Sequence, residues 1–159
     1  LYLWISSTKN ISVKNTSADT VTVHEGAVDD IILALNLGSS SSLANSLKEF
    51  QAYGSAKGLK ENNEVAYNIL VDEIHKYNKE LVNFFIFGVN SPLVNNSIQV
   101  ADIMLYTKNF EVILRDLYVD EYIKKYSSKG QFGTPFKWTY PSKKRGQKVQ
   151  IKGFTNNKK

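Results

Sequence analysis

The chain has 159 residues, of which 42% are hydrophobic and 22% charged, and it has no cysteine. That length suits one domain able to bury a core without cross-links, and the missing cysteine excludes a disulfide scaffold and thiolate zinc sites on either side of a membrane. The net charge of +5 is modest, and no apolar run approaches the roughly 20 residues of a membrane-spanning helix.

Residues 1–24 read as strands. Segments 1–5, 11–13 and 21–23 are rich in β-branched or aromatic residues and are separated by polar turn residues, which predicts two or three short antiparallel strands. The stretch from Leu1 to Ile5 also fits the end of a removed signal or anchor, and a strand is the simpler reading.

Residues 26–126 read as helices. A short one over 28–37 carries Ile31, Ile32, Leu33 and Leu35 and stops at Gly38. The serines at 39–42 offer N-caps to a second helix bearing Leu43, Leu47 and Phe50. Tyr67, Leu70, Ile74, Tyr77, Leu81 and Phe84 follow at spacings of 3, 4, 3, 4 and 3, which predicts an amphipathic helix of about six turns. A fourth helix over 98–126 is predicted from Ile103, Tyr106, Phe110, Ile113 and Leu117, with a break near Thr107.

Residues 127–159 differ in kind. Phe136, Trp138 and Tyr140 alternate with Lys137 and Thr139. Pro141 to Gly146 supplies a turn, and Val149 and Ile151 alternate with Lys148, Gln150 and Lys152. The pattern is a β-hairpin with one apolar and one cationic face. The expected fold is α+β, a four-helix core with short N-terminal strands and a C-terminal basic β-hairpin. It is divided as an acidic body at 1–126 and a basic arm at 127–159 within a single domain.

The charge is split along the same line. From Leu1 to Ile123 there are 9 Lys or Arg against 15 Asp or Glu, a net of −6; from Lys124 to Lys159 there are 11 Lys or Arg and no acid, a net of +11. Cations at this density neutralise phosphates and release counterions, and interleaved aromatics can stack on unpaired bases. The candidate nucleic-acid contacts are therefore Lys137, Lys143, Lys144, Arg145, Lys148 and Lys152, with Trp138 and Tyr140. The same surface also suits an acidic protein partner, such as the body of a second copy, or an anionic membrane. In the blandest reading it is a solvated edge.

Other features are weaker. His24 lies beside Glu25, Asp29 and Asp30, and His75 beside Asp72 and Glu73, but neither spacing matches a metalloprotease helix. The serines at 39–42 lack a Walker lysine and read as a helix cap. Tyr118, Tyr122 and Tyr126 form a stripe at spacing 4, read first as core. Asn10, Asn15 and Asn95 begin glycosylation triplets, common by chance in an Asn-rich chain. No cofactor, metal or catalytic residue is expected. The leading expectation is a non-enzymatic nucleic-acid-binding or assembly protein, a nucleoprotein or virion coat subunit whose basic arm contacts DNA or RNA phosphate. The alternative is an extracytoplasmic interaction domain of an envelope or secretion assembly, and a small hydrolase or nuclease using a histidine ranks third.

Overall fold

The computed structural model describes residues 11–14, 18–92, 101–106 and 111–155. The strand expected at 1–5, the break expected near Thr107, the glycosylation triplets at Asn10, Asn15 and Asn95, and the terminal lysines Lys158 and Lys159 lie outside the described residues.

Two strands come first, β1 (Ile11–Lys14) and β2 (Thr20–Gly26). Five helical segments follow: α1 (Val28–Ala34), α2 (Ser42–Tyr53), α3 (Ala56–Asn62), α4 (Glu64–Glu73) and, after one 3-10 turn at Ile74–Tyr77, α5 (Asn78–Phe87). The described chain then runs through β3 (Ile103–Tyr106), β4 (Glu111–Leu114), α6 (Arg115–Tyr126), β5 (Phe136–Thr139) and β6 (Val149–Phe154). The fold is mixed helix and sheet, as expected, but its elements differ from the expectation in three places.

The first concerns the N-terminal strands, which do not pair with each other. β1 runs parallel to β3 in the sheet β1-β3-β4, whereas β2 is antiparallel to β6 in the sheet β2-β6-β5. The second is the long helix at 67–84. Its apolar face is real, since Leu70, Ile74, Leu81 and Phe84 are buried. The rod is nevertheless interrupted at Ile74–Tyr77, where the chain tightens and the Asn78 side-chain amide leaves the helix to donate to the Gly133 carbonyl at 3.0 Å. A mid-helix 3-10 turn of this kind is where local pattern and tertiary contact disagree.

The third is the helix expected from residue 98. Among the described residues of that stretch only Arg115 onward is helical, and Ile103–Tyr106 and Glu111–Leu114 are antiparallel strands. Short apolar runs do not distinguish helix from strand by period, and pairing with the distant β1 decides the matter here. Leu117, placed on the buried stripe by the helical spacing, is 61% exposed.

Helix ends follow their local chemistry. The Ser41 hydroxyl accepts from the Ala44 amide at 3.1 Å, so the serine run caps α2. Ser55 and Asn63 do the same for α3 and α4. In α6, Asp116 lies in the first turn and Lys124 and Lys125 in the last, which matches both ends of the helix dipole.

The core gathers around α5, whose second half is buried on every side, from Leu81 and Val82 to Phe84 through Phe87. Phe85 meets Phe136 edge-on at 5.1 Å, and Phe87 meets Tyr118 at 5.4 Å. Tyr118, Tyr122 and Tyr126 are all buried, so the tyrosine stripe packs inward. β6 lies between β2 and β5, so residues of the 1–126 stretch and of the 127–159 stretch share one sheet.

Candidate nucleic-acid interface

The apolar side chains of the basic segment pack on the protein's own helices. Phe136, Val149 and Ile151 are fully buried. Trp138, expected on the stacking surface, is only 3% exposed. Its ring meets Phe50 edge-on, and its indole N–H donates to the Thr134 hydroxyl at 2.9 Å. Alternation pointed this side chain inward, and in this arrangement the ring has no free face for a base.

The other face of the sheet carries the cations. Lys137 sits directly opposite Lys152 across the β5–β6 ladder. Like charges in that position repel and cost a fraction of a kcal/mol. Among the described residues no carboxylate pairs with either. Lys137 lies over the Phe154 ring at 5.4 Å, and Phe154 stacks on Tyr126 at 5.2 Å with an interplanar angle of 14°. Lys125 and Lys129 approach the Tyr126 ring at 5.2 and 5.8 Å. Three lysines thus surround one aromatic stack. Toward β2 the charge falls away, because Glu25 pairs with Lys148 at 3.8 Å and accepts from the Gln150 amide at 3.4 Å.

Lys143, Lys144 and Arg145 lie in the loop joining β5 to β6, all exposed. This loop is two successive turns. The Lys144 amide donates to Pro141 O at 3.0 Å, and the Gln147 and Lys148 amides both donate to Lys144 O at 3.1 Å. Arg145 lies over the Tyr140 ring at 5.0 Å. Both residues press on Gly54, the left-handed cap of α2, where a Cβ would stand 2.9 Å from Arg145 Cγ and 2.9 Å from Tyr140 Cδ1. Of the eight side chains expected at the interface, the structure therefore places Lys137 with Lys152 on the open sheet face and Lys143, Lys144, Arg145 and Tyr140 on the seated loop. Lys148 is tied to Glu25, and Trp138 is in the core.

Neither histidine anchors an obvious reactive cluster. His75 is exposed, with Nδ1 3.0 Å from the Val71 carbonyl oxygen. His24 faces the aromatic core, and burial pushes its imidazole below the usual value against the smaller opposing pull of Asp30 and Glu25. Among the described residues no three His, Asp or Glu side chains converge as metal ligands would.

An α+β domain with one cationic, carboxylate-poor sheet face is the class defined by fold and surface. Comparison with known proteins makes it particular. The family described as restriction endonuclease MspI matches residues 5–153, and the chain belongs to that family. It is 50% identical over 149 residues to the type II restriction enzyme BsuFI of Bacillus subtilis, an alignment covering 94% of this chain and 37% of that protein. In three dimensions it resembles the crystal structure of restriction endonuclease MspI in complex with its cognate DNA. The TM-score is 0.70 at 21% identity, with 91% of this chain and 57% of that chain covered, a likeness of fold. The chain thus spans less than two thirds of the length of either relative.

Family membership overturns the expectation of a non-enzymatic nucleoprotein or coat subunit, and with it the virion, assembly and structural-protein readings. The envelope-domain alternative falls for the same reason, and the expectation that the chain has no enzymatic role is corrected, because the relatives are restriction enzymes. The error has a physical origin. Cationic density reports contact with phosphate and is the same whether the phosphodiester is merely held or is cut.

Proposed function

We propose that this chain is the DNA-holding portion of a type II restriction enzyme, with the open face of the β2-β6-β5 sheet and the loop after β5 resting on the duplex backbone. One observation carries the reading: Lys137 and Lys152 face each other across the ladder without a carboxylate, an arrangement that costs the isolated protein and is relieved by phosphate. The relatives' names, and the DNA held by the structural relative, support the same reading. The cleavage chemistry belongs to the enzyme as a whole, and duplex cleavage by the purified protein is the expected activity. Single-stranded nucleic acid is a poorer partner, since Trp138 offers no stacking face.

Binding to duplex DNA across salt concentrations tests this. Each neutralised phosphate contributes about −0.9 to the log–log slope. Lys137→Gln with Lys152→Gln should therefore flatten the slope by about 2. An unchanged slope would remove the sheet face from the interface.

A further inference from the structure

Of the cationic side chains on this surface, Arg145 is the one described as held in a fixed place by an aromatic ring and a helix cap. Its stem lies against Gly54, with Cγ 2.9 Å and Nε 3.0 Å from where a Cβ at that glycine would stand. Its guanidinium lies over the Tyr140 ring at 5.0 Å. Tyr140 touches the same glycine, so ring, stem and helix cap form one wedge. Gly54 adopts φ 76°, a left-handed conformation that glycine accepts without strain, and any larger residue would drive the wedge apart.

The loop beneath is also fixed. Lys143 takes φ 62° at the third position of the turn closed by Lys144 N–H and Pro141 O. Glycine or asparagine is usual there, and a lysine keeps that strained conformation only where its surroundings enforce it. Gly146, at φ 77°, carries the second turn past the end of α2. The double turn thus holds an exposed, planar donor with one side on an aromatic ring and no carboxylate pairing with it among the described residues.

A lysine on a free stem finds phosphate wherever phosphate is. A guanidinium seated over a ring has given up part of that freedom, and its planar fork can offer two parallel N–H groups, the pattern that reads O6 and N7 of guanine in the major groove. We infer that Arg145 is a base-reading residue that recognises a guanine edge, with Tyr140 and Gly54 as its positioning residues, whereas Lys143 and Lys144 contact backbone. This rests on the DNA-holding role proposed above and assigns the parts of that surface.

The test measures binding of the whole protein to a randomised duplex pool, sequencing the bound fraction, alongside salt titration on one fixed duplex. Arg145→Lys and Arg145→Ala should each relax a guanine preference at one position by about tenfold. Lys143→Gln with Lys144→Gln should weaken all duplexes alike and flatten the salt slope by about 2. Tyr140→Ala should relax the same position as Arg145→Ala, and Tyr140→Phe, which keeps the ring, should restore the preference. If Arg145→Ala weakens every duplex equally and leaves base preference intact, Arg145 is a phosphate contact and the inference fails. If Tyr140→Ala leaves the preference intact, the positioning role fails. Absence of salt-dependent duplex binding by the unmodified protein would instead overturn the DNA-holding role itself.

Discussion

His24 faces α5 from β2, its ring centroid 5.1 Å from that of Phe84 and 5.3 Å from that of Phe85. Its Nε2 is buried without a hydrogen-bond partner, so a proton added there has little to stabilise it. Burial accordingly lowers the folded-state pKa below the ordinary 6.5, and Asp30 and Glu25 offset only part of the shift. The unfolded chain then takes up the proton first as the medium is acidified. Stability should be full above about pH 6.5 and should decline as the pH falls from there toward the lowered folded value. Urea denaturation at steps between about pH 7 and 5 should show this decline. In His24→Gln, which cannot charge, the loss over that window should be largely absent.

Gly130 carries a second prediction of local character. A Cβ there would stand 2.0 Å from the Thr134 carbonyl oxygen and 2.6 Å from the Phe136 amide nitrogen, both main-chain atoms that have nowhere to go. Gly130→Ala should therefore cost about 3 kcal/mol, toward the upper end for overpacking, read as a fall in the urea midpoint.

Among the helices and strands, those with strong local signals were legible. The serines marked the start of α2, and the 3–4 spacing from Tyr67 to Phe84 picked out buried positions across two helices, whereas α1 ends at Ala34, capped by Leu35, and not at Gly38. Alternation in Phe136, Trp138, Val149 and Ile151 marked side chains that the structure buries. What sequence pattern missed depends on partners far away in the chain. β3 pairs with β1 from Ile103↔Ile11 to Tyr106↔Lys14, a contact across about ninety residues that no local window contains. The 3-10 turn at Ile74–Tyr77 likewise depends on the Asn78 bond to Gly133. Asn78→Ala should therefore release the loop at 130–135 from the helical rod. Faster amide hydrogen exchange there, with little change at α2, would show it. Within the candidate site, the cations were legible as a run of charge. The division of labour we infer for them was not, because the seat of Arg145 involves the Gly54 cap, 91 residues upstream.

In the molecule as a whole the basic segment is not an appendage to the acidic one, because the two share a sheet and a core. The acid-free stretch from Lys124 contributes both the open lysine face and the core side chains Phe136, Trp138, Val149 and Ile151. A chain stopped after Tyr126 loses β5 and β6, and β2 then has no partner in its sheet. It should not unfold cooperatively, and its near-ultraviolet circular dichroism should collapse. A truncated protein retaining a sharp unfolding transition would show the helical body to be self-sufficient.

The central place of β6 has one more consequence, in the order of manufacture. β2 pairs from Thr20 with Phe154, so a strand near the start of this stretch waits for one made 134 residues later. At ribosomal speeds of about 5–20 residues per second, that wait is on the order of ten seconds. Until then the nascent chain has neither the closed sheet nor the lysine face carried on it. A ribosome-bound intermediate thus holds an unpaired strand and an unformed lysine face, and both conditions end together as the same few residues clear the exit tunnel.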